Sequence, residues 1–272
     1  MEPHLIVFDL DGTVLPKLKE FPEETREVLL RAKKAGHKLM INTARPWNMA
    51  RHIYELLELD TPIGLENGAE LISPNDDNFK DIYNILNENQ TYTITNEIMK
   101  YNEPDTIIIE YKNDFYQYGD TLNPYFKYRA DVSRVINFDK NSIPHIEASR
   151  IIVIHKDSDI LNKYIQIAKN DKDIITHLLV SNNKEKAIFN RCFIQNKRAN
   201  KWYSALAVAE YYNIPLENIY TFGDEWNDVM MTKEAEHGYG ICGSLAAKSS
   251  HFITNFSCKD KGVARVIAKI LL

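Results

Sequence analysis

The chain contains 272 residues, of which 44% are hydrophobic, 11% aromatic and 26% charged. These are values of a globular protein, and they exclude a disordered, collagenous or coiled-coil chain. Lys and Arg total 33 against 38 for Asp and Glu, a net charge of -5 without a basic run of five residues, so we expect no nucleic-acid partner.

The first part of the chain alternates strands with helices, a pattern that predicts a parallel sheet with crossover helices. Both helices begin with a proline, which is preferred in the first helical turn. The third strand leads into a turn at 66–69. The predicted strands lie at 4–8, 38–42 and about 62–64, and the helices at 22–35 and from 46 onward.

The pattern changes between about residue 73 and about residue 184, where strands and helices no longer alternate regularly. Two helical stretches, at 95–102 and 158–170, lie among β-branched or alternating segments, which indicates an inserted α+β domain. The strands of this insertion are predicted at 106–111, 114–118, 149–155, 174–180 and 186–194.

The alternation resumes after residue 199. We therefore predict an α/β protein with a Rossmann-like parallel-sheet core over 1–75 and 189–272 and an inserted α+β cap domain over 76–188. The late elements are a helix at 200–212, a strand at 219–222, a helix after 226, a strand at 239–242 and a final helix around 263–270.

Cys192, Cys242 and Cys258 are odd in number and widely separated. Their spacing predicts neither a disulfide framework nor a zinc site, and reduced thiols fit a cytoplasmic protein. The first apolar run is too short for a signal peptide, and no run approaches the ~18 residues of a membrane span. We expect a cytoplasmic monomer or small homo-oligomer that does not bind membranes.

Three polar clusters lie where predicted core strands end: Asp9 with Asp11, Thr43, and the segment 223–228. In an open parallel sheet, ligands bind beyond the carboxyl ends of the strands, so we expect these clusters to converge. Carboxylate oxygens without nearby Cys or His favour a hard cation such as Mg²⁺, with Asp9 and Asp224 as its ligands.

The other polar residues, Thr43 and Lys201, are suited to binding a phosphate group. Thr43 lies between a strand and a helix, so its hydroxyl and the free N–H groups of the first helical turn form an anion site. Lys201 adds a positive charge, although Lys197 competes on sequence alone. A phosphoryl group neutralised in this way is open to attack by Asp9, and Asp11 would protonate the leaving oxygen.

Taken together, these motifs resemble those of the haloacid dehalogenase-like (HAD) superfamily. The insertion resembles in position and length the large α+β cap of the Cof-type phosphatase branch, and Glu66-Asn67-Gly68-Ala69 resembles that branch's turn before the cap. Gly243-Ser244 stands where relatives commonly carry an Asn-Ala pair. The matching motifs are Asp9-Leu10-Asp11-Gly12-Thr13, Thr43-Ala44-Arg45-Pro46, Lys201 and Gly223-Asp224-Glu225-Trp226-Asn227-Asp228.

The resemblance implies a Mg²⁺-dependent phosphatase that hydrolyses small phosphorylated metabolites through an aspartyl-phosphate on Asp9. Sugar phosphates are the chief substrates that it implies, and flavin or pyridoxal phosphates remain open. Asp11 would act as acid and then as base. The implied metal ligands are Asp9, Asp224 and the main-chain carbonyl of Asp11. Thr43, Lys201 and Asn227 would bind the phosphoryl group, and Asn227 and Asp228 would orient phosphate and metal-bound water. For Arg45 the sequence leaves open a salt bridge to the cap, a contact with the leaving group of the substrate, or a structural role.

Other functions also remain open on sequence alone. A phosphomutase of the same superfamily would return a second phosphate to Asp9 instead of admitting water. A receiver-like signalling module accepts a phosphoryl group without being an enzyme, but that class is shorter and lacks a cap. A calcium loop starting at Asp9 is excluded by Val14, which stands where an EF-hand requires glycine.

Overall fold

The computed structural model describes residues 2–17, 20–120, 124–180 and 190–271, apart from the side chains of residues 124 and 125. The chain is divided into two compact units. The first contains Met1–Arg45, Ala50–Tyr83 and Asn200–Leu272, and the second contains Pro46–Met49 and Asn84–Ala199. None of the described helices combines the length and the apolar character that crossing a bilayer requires.

Strands and helices alternate at both ends of the chain, as the sequence predicted. The strands are β1 (Leu5–Phe8), β2 (Lys38–Ile41), β3 (Ile63–Leu65), β4 (Glu70–Ile72), β5 (Ile82–Tyr83), β6 (Thr106–Tyr111), β7 (Asp114–Gly119), β8 (Arg134–Asn137), β9 (Arg150–Ile154), β10 (Ile174–Leu179), β11 (Arg191–Asn196), β12 (Ile219–Gly223), β13 (His237–Gly240) and β14 (Phe252–Ile253). The helices are α1 (Glu23–Lys34), α2 (Trp47–Leu56), α3 (Glu88–Tyr101), α4 (Pro124–Val132), α5 (Ser158–Ala168), α6 (Lys201–Tyr211), α7 (Val229–Glu234) and α8 (Gly262–Ile270).

A parallel five-stranded sheet forms the centre of the first unit, in the order β14-β13-β12-β1-β2. Strand β1 lies between β12 and β2, and Phe8 pairs with both Phe222 and Ile41. The carboxyl ends of these three strands are therefore level, and the residues that follow them meet at one edge of the sheet. This arrangement confirms the predicted α/β class with a Rossmann-like core.

Helix α6 packs against the sheet through small apolar side chains. Ala205 and Val208 are buried in one cluster with Leu5 of β1 and Ile219 of β12. Small side chains let the helix approach the strands closely, and burying a Val or Leu contributes about 1.5–3 kcal/mol to folding. This packing brings the helix that begins with Lys201 against the strands β1 and β12.

A tight turn connects β3 and β4, which pair antiparallel. The turn is a short 3-10 segment, Glu66–Gly68, and its residues have φ angles of 51° at Glu66, 63° at Asn67 and 88° at Gly68. Left-handed backbone is unfavourable for residues with a Cβ, and such conformations cluster at functional sites. The hairpin-type turn that the sequence predicted at 66–69 is therefore present, in a strained form.

The second unit contains a six-stranded sheet in the order β10-β11-β9-β6-β7-β8. Its strands pair antiparallel except for β7 with β8. One face of the sheet carries Ile107, Ile109 and Val153, which pack with Ile98 of α3 and Leu161 of α5. This α+β arrangement is the one predicted for the insertion. The part of the predicted strand at 186–194 that precedes residue 190 lies outside the described residues.

Helix α3 is longer than the stretch predicted at 95–102. It begins at Glu88, because Asn87 accepts a hydrogen bond from the Gln90 backbone at 2.9 Å while the Gln90 side chain accepts one from the Asn87 backbone at 3.0 Å. Such a capping box satisfies two backbone donors that the helix leaves unpaired. Thr91 and Thr93, whose branched side chains are weak helix formers, obscured this first turn in the sequence.

The limits of the two units differ from the predicted limits of core and cap. Residues 76–83 belong to the first unit, because β5 pairs with β4. Residues 190–199 belong to the second, because β11 pairs with β9 and β10. The predicted boundary between residues 188 and 189 lies outside the described residues.

A buried charge cluster connects the sheet of the second unit to α4. Glu110 is 0% exposed, and its Oε1 forms an ion pair with Arg129 Nε at 2.5 Å, while its Oε2 accepts a hydrogen bond from Arg150 Nε. Both arginines are also buried. Breaking a buried ion pair from one side typically costs about 3–5 kcal/mol, because the remaining charge stays out of water.

We expect Glu110→Gln to lower the free energy of unfolding by about 3–5 kcal/mol, because two buried guanidinium groups lose the carboxylate that they share. The matched control is Glu55→Gln, which removes the exposed pair between Glu55 and Arg51. Chemical denaturation of both variants measures the effect. Equal stability of the two variants would contradict a structural role for the buried cluster.

Candidate active site

The edge formed by β1 and β12 brings two aspartates together around one lysine. Lys201 Nζ donates to Asp9 Oδ1 at 2.6 Å and to Asp228 Oδ1 at 2.7 Å. All three side chains are buried, with at most 8% of their surface exposed. The predicted convergence of Asp9, Lys201 and Asp228 is therefore observed. Lys197, the alternative lysine, instead pairs with Asp173.

Asp224 completes this acidic group. Its Oδ1 accepts a hydrogen bond from the Thr13 hydroxyl at 2.9 Å, and its Oδ2 lies against the Cα of Gly12. A Cβ at position 12 would be 2.1 Å from that oxygen, and Gly12 also has φ of +83°. Glycine at this position therefore allows both the backbone turn and the approach of Asp224 to the loop after β1.

Asp228 anchors the loop that carries Asp224. Its Oδ2 accepts the backbone N–H of Asp224 at 3.0 Å and of Glu225 at 3.1 Å, while its Oδ1 accepts Lys201 Nζ. Both carboxylate oxygens of Asp228 are thus occupied by protein donors. This carboxylate is suited to orienting the surrounding groups rather than to binding a ligand directly.

The electrostatics of this group reflect burial of several negative charges. Burial raises the pKa of Asp9, as do the Asp228, Asp224 and Asp11 carboxylates, while the Lys201 ammonium lowers it. Burial and Asp228 raise the pKa of Asp224 to about 7, against the Thr13 hydrogen bond and Lys201. Burial would lower the pKa of Lys201, but Asp228 and Asp9 hold it above its ordinary value. The single positive charge of Lys201 thus neutralises only part of the negative charge of the surrounding carboxylates.

A hard cation fits this donor set. Oxygens of Asp9, Asp224 and Asp228 lie within 4.8 Å of one another. Within the described residues, the second oxygen of Asp9 and of Asp224 makes no hydrogen bond. Oxygen donors without sulfur or imidazole suit Mg²⁺, which binds through one or two carboxylates and retains water. A divalent cation would also relieve the repulsion that raises both pKa values.

Arg45 and Asp11 form a second ion pair at this edge. The side chain of Arg45 is fully buried and donates through Nη2 to Asp11 Oδ1 at 2.6 Å and through Nε to Asp11 Oδ2 at 2.8 Å. Such two-point contacts fix the orientation of a carboxylate. Asp11 is 35% exposed, so its carboxyl is held in place yet accessible. The sequence identified both residues but not their contact.

Thr43 and Asn227 are both hydrogen-bonded to Asn67 in the turn after β3. Thr43 is fully buried, and its hydroxyl accepts the Arg45 backbone N–H at 3.2 Å. The Asn67 backbone donates to the Thr43 carbonyl at 3.0 Å, and Asn227 Nδ2 donates to Asn67 Oδ1 at 2.8 Å. Asn67 thus connects two predicted phosphate ligands, a role that sequence reasoning missed; the Glu66-Asn67-Gly68 turn was its signal.

A model of the haloacid dehalogenase-like hydrolase family matches residues 6–267. The chain belongs to this family. The 5-amino-6-(5-phospho-D-ribitylamino)uracil phosphatase YitU of Bacillus subtilis is 26% identical over 267 residues, which cover 98% of this chain and 97% of the relative. The pyridoxal phosphate phosphatase YbhA of Escherichia coli is 24% identical over 254 residues, covering 89% and 88%.

The fold agrees with this membership. The solved structure of the HAD subclass IIB sugar phosphatase BT4131 superposes with a TM-score of 0.79 at 15% identity, over 99% of this chain and 100% of that one. The chain is therefore an enzyme of the HAD family, a phosphatase and hence a hydrolase, that acts on small phosphorylated compounds. Family membership also confirms the resemblance on which the sequence analysis relied.

Proposed function

We propose that this phosphatase is Mg²⁺-dependent and hydrolyses phosphate monoesters, chiefly sugar phosphates, through an aspartyl-phosphate on Asp9. The observation that carries the proposal is the placement of Asp9, which contacts a fully buried lysine and lies within 4.8 Å of two further carboxylates. Ligands of a parallel sheet bind at its carboxyl edge, where Asp9 lies. The positive charge beside the Asp9 carboxylate reduces its repulsion of a negatively charged phosphoryl group, so that the carboxylate can attack phosphorus.

In the first half of the proposed reaction, an oxygen of the Asp9 carboxylate attacks phosphorus and the bond to the ester oxygen breaks. The Asp11 carboxyl gives its proton to the departing oxygen, which leaves as an alcohol. In the second half, water attacks the phosphorus of the aspartyl-phosphate while Asp11 takes a proton from it, and Asp9 and inorganic phosphate are released. Each proton that Asp11 loses is thus returned.

The remaining residues hold the phosphoryl group and these two aspartates. Lys201 and the amide of Asn227 supply donors to phosphoryl oxygens, and the segment at Thr43 supplies the anion site. Asp228 orients Lys201 and the loop of Asp224, as its hydrogen bonds suggest. Arg45 holds the carboxyl of Asp11 in place through their ion pair. Its second proposed role is a contact with the leaving group of the substrate.

Mg²⁺ would be held by Asp9, Asp224 and the main-chain carbonyl of Asp11. The bound cation would supply charge neutralisation at the phosphoryl oxygens. The support for this assignment lies in the raised pKa values of Asp9 and Asp224 and in their second carboxylate oxygens, to which none of the described residues donates a hydrogen bond.

We expect phosphate release to disappear in EDTA and Asp224→Ala to act mainly on the metal. The variant loses a carboxylate ligand but retains Asp9 and Asp11, so raising the Mg²⁺ concentration should recover part of the activity. The measurement is the Mg²⁺ dependence of phosphate release. An unchanged apparent Mg²⁺ affinity in Asp224→Ala, or full activity in EDTA, would contradict the assignment.

The substrate proposal is tested separately by a phosphate-release screen. The panel contains sugar phosphates, a ribityl phosphate and pyridoxal phosphate, because two relatives are named for the latter two groups. Sugar phosphates with the highest kcat/KM would support the proposal. Preference for pyridoxal phosphate would replace the proposed substrate while leaving the chemistry unchanged, and a rearranged phosphate ester without free phosphate would indicate a phosphomutase.

A further inference from the structure

Asn42 is a buried polar residue at the end of β2 that neither the motifs nor the proposed reaction uses. Its side chain is 0% exposed, and its amide Nδ2 donates to the main-chain carbonyl of Lys201 at 2.7 Å. Since a carbonyl can only accept, the amide nitrogen rather than the oxygen must face Lys201. Asn42 therefore binds the first residue of α6.

The backbone of Asn42 is tied to the other parts of the site. Its N–H donates to the Phe8 carbonyl at 3.0 Å, one residue before Asp9. A bridge also pairs it with Gly64 on the strand before the Glu66–Gly68 turn. One residue thus contacts the strand that presents Asp9, the strand that leads to Asn67, and the helix that presents Lys201.

The surroundings of Asn42 are shaped for its side chain. A Cβ at Gly64 would lie 2.4 Å from Asn42 Oδ1, so the glycine provides the space that the amide occupies. Within the described part of the chain, Asn42 Oδ1 has no hydrogen-bond partner. A buried carbonyl without a partner is unfavourable, so packing alone does not account for an amide here.

We infer that Asn42 is a positioning residue: its hydrogen bond to the Lys201 carbonyl fixes the start of α6 and thereby holds Lys201 Nζ between Asp9 and Asp228. The lysine side chain is a flexible four-carbon stem, so the side chain does not by itself fix the ammonium. A main-chain anchor at Lys201 limits the positions that Nζ can adopt and favours its contacts with both carboxylates, at 2.6 and 2.7 Å. This inference rests on the proposed role of Lys201 in phosphoryl transfer.

The test uses the full-length protein and phosphate release from p-nitrophenyl phosphate. Asn42→Ala should lower kcat by about 10-fold to 100-fold, the range expected when a catalytic group is misplaced by about 1 Å. The matched control is Asn190→Ala, because Asn190 is also buried and donates its amide to a backbone carbonyl, that of Lys156, at 3.1 Å. This control should keep kcat within about twofold of wild type, far less than the loss at Asn42.

A second pair of variants separates positioning from packing. Asn42→Ala leaves a space beside Gly64, and adding Gly64→Ala fills it with a methyl group without restoring the amide donor. We expect the double variant to regain thermal stability while kcat stays low. Recovery of kcat together with stability would overturn the inference, because packing would then explain the whole effect.

A double-mutant cycle with Lys201→Met tests whether Asn42 acts through Lys201. In that background, Asn42→Ala should change kcat less than about twofold, since the group that it positions is absent. Multiplicative losses would contradict the inference. A Lys201→Met variant with wild-type kcat would instead contradict the proposed function, whereas an impaired Lys201→Met beside an unimpaired Asn42→Ala would contradict the inference alone.

Discussion

Asp9→Asn is expected to reduce phosphate release by on the order of 10⁴-fold or more, the loss seen when the nucleophile of a covalent mechanism is removed. The amide occupies nearly the same volume as the carboxylate but is not a nucleophile at phosphorus. It also withdraws the negative charge that contacts Lys201 Nζ at 2.6 Å. Initial rates of phosphate release at saturating substrate measure the effect.

Asp77→Asn is the control for Asp9→Asn, because it makes the same chemical change at an exposed position of the same unit. Both variants should unfold at about the temperature of wild type or above it. An Asp9→Asn protein that keeps more than a small fraction of wild-type activity would exclude Asp9 as the nucleophile. The acidic group would then serve metal binding alone.

Asp11→Asn is expected to lower turnover by roughly 10²-fold to 10⁴-fold for a sugar phosphate, because the proton for the departing alkoxide is lost. The first step with p-nitrophenyl phosphate should change little, since nitrophenolate leaves without a proton. Its second step should still be slow, because no base remains to activate water. Rapid mixing should therefore show a burst of nitrophenol followed by slow turnover.

A variant of Arg45 tests whether its ion pair with Asp11 supports proton transfer by that carboxyl. Arg45→Lys keeps a positive charge but loses the two-point contact with Asp11, made at 2.6 and 2.8 Å. If Asp11 is the acid and base, this variant should slow the release of the sugar from a sugar phosphate more than it slows the initial burst of nitrophenol from p-nitrophenyl phosphate, as Asp11→Asn does. An Asp11→Asn protein that hydrolyses both substrates at wild-type rates would contradict the assigned roles.

Local sequence patterns predicted the core elements and the convergence of the main motifs. Strands β1, β2 and β12 are apolar runs that end in polar residues, and a parallel sheet must bring such ends together. The meeting of Asp9 with Lys201, which are 192 positions apart, followed from that topology. The same topology predicted that Asp224, which follows β12, lies beside Asp9.

Contacts made by side chains across the fold could not be read from the sequence. The pair of Arg45 with Asp11 and the amide of Asn42 on Lys201 depend on the angle at which two loops and a helix meet. Asn67 was visible only as a turn residue, and its contact with Asn227 depends on left-handed backbone at position 67.

Several elements of the structure also lacked a sequence signal. Strand β14 has only two residues, both exposed, so no alternation marks it. Most residues of β8 are exposed as well, and the apolar and polar residues of α4 do not separate onto two faces. Strand β13 begins at His237, two residues before the predicted strand. The prediction missed this start because the first two residues, a histidine and a glycine, are not typical of strands.

The most direct test of the aspartyl-phosphate mechanism is mass spectrometry of Asp11→Asn quenched with acid during turnover of p-nitrophenyl phosphate. The mechanism predicts one phosphoryl group per chain, located on the peptide that contains Asp9 and absent from an Asp9→Asn/Asp11→Asn double variant. A burst of nitrophenol without any phosphorylated peptide, or a phosphoryl group on a different residue, would contradict it.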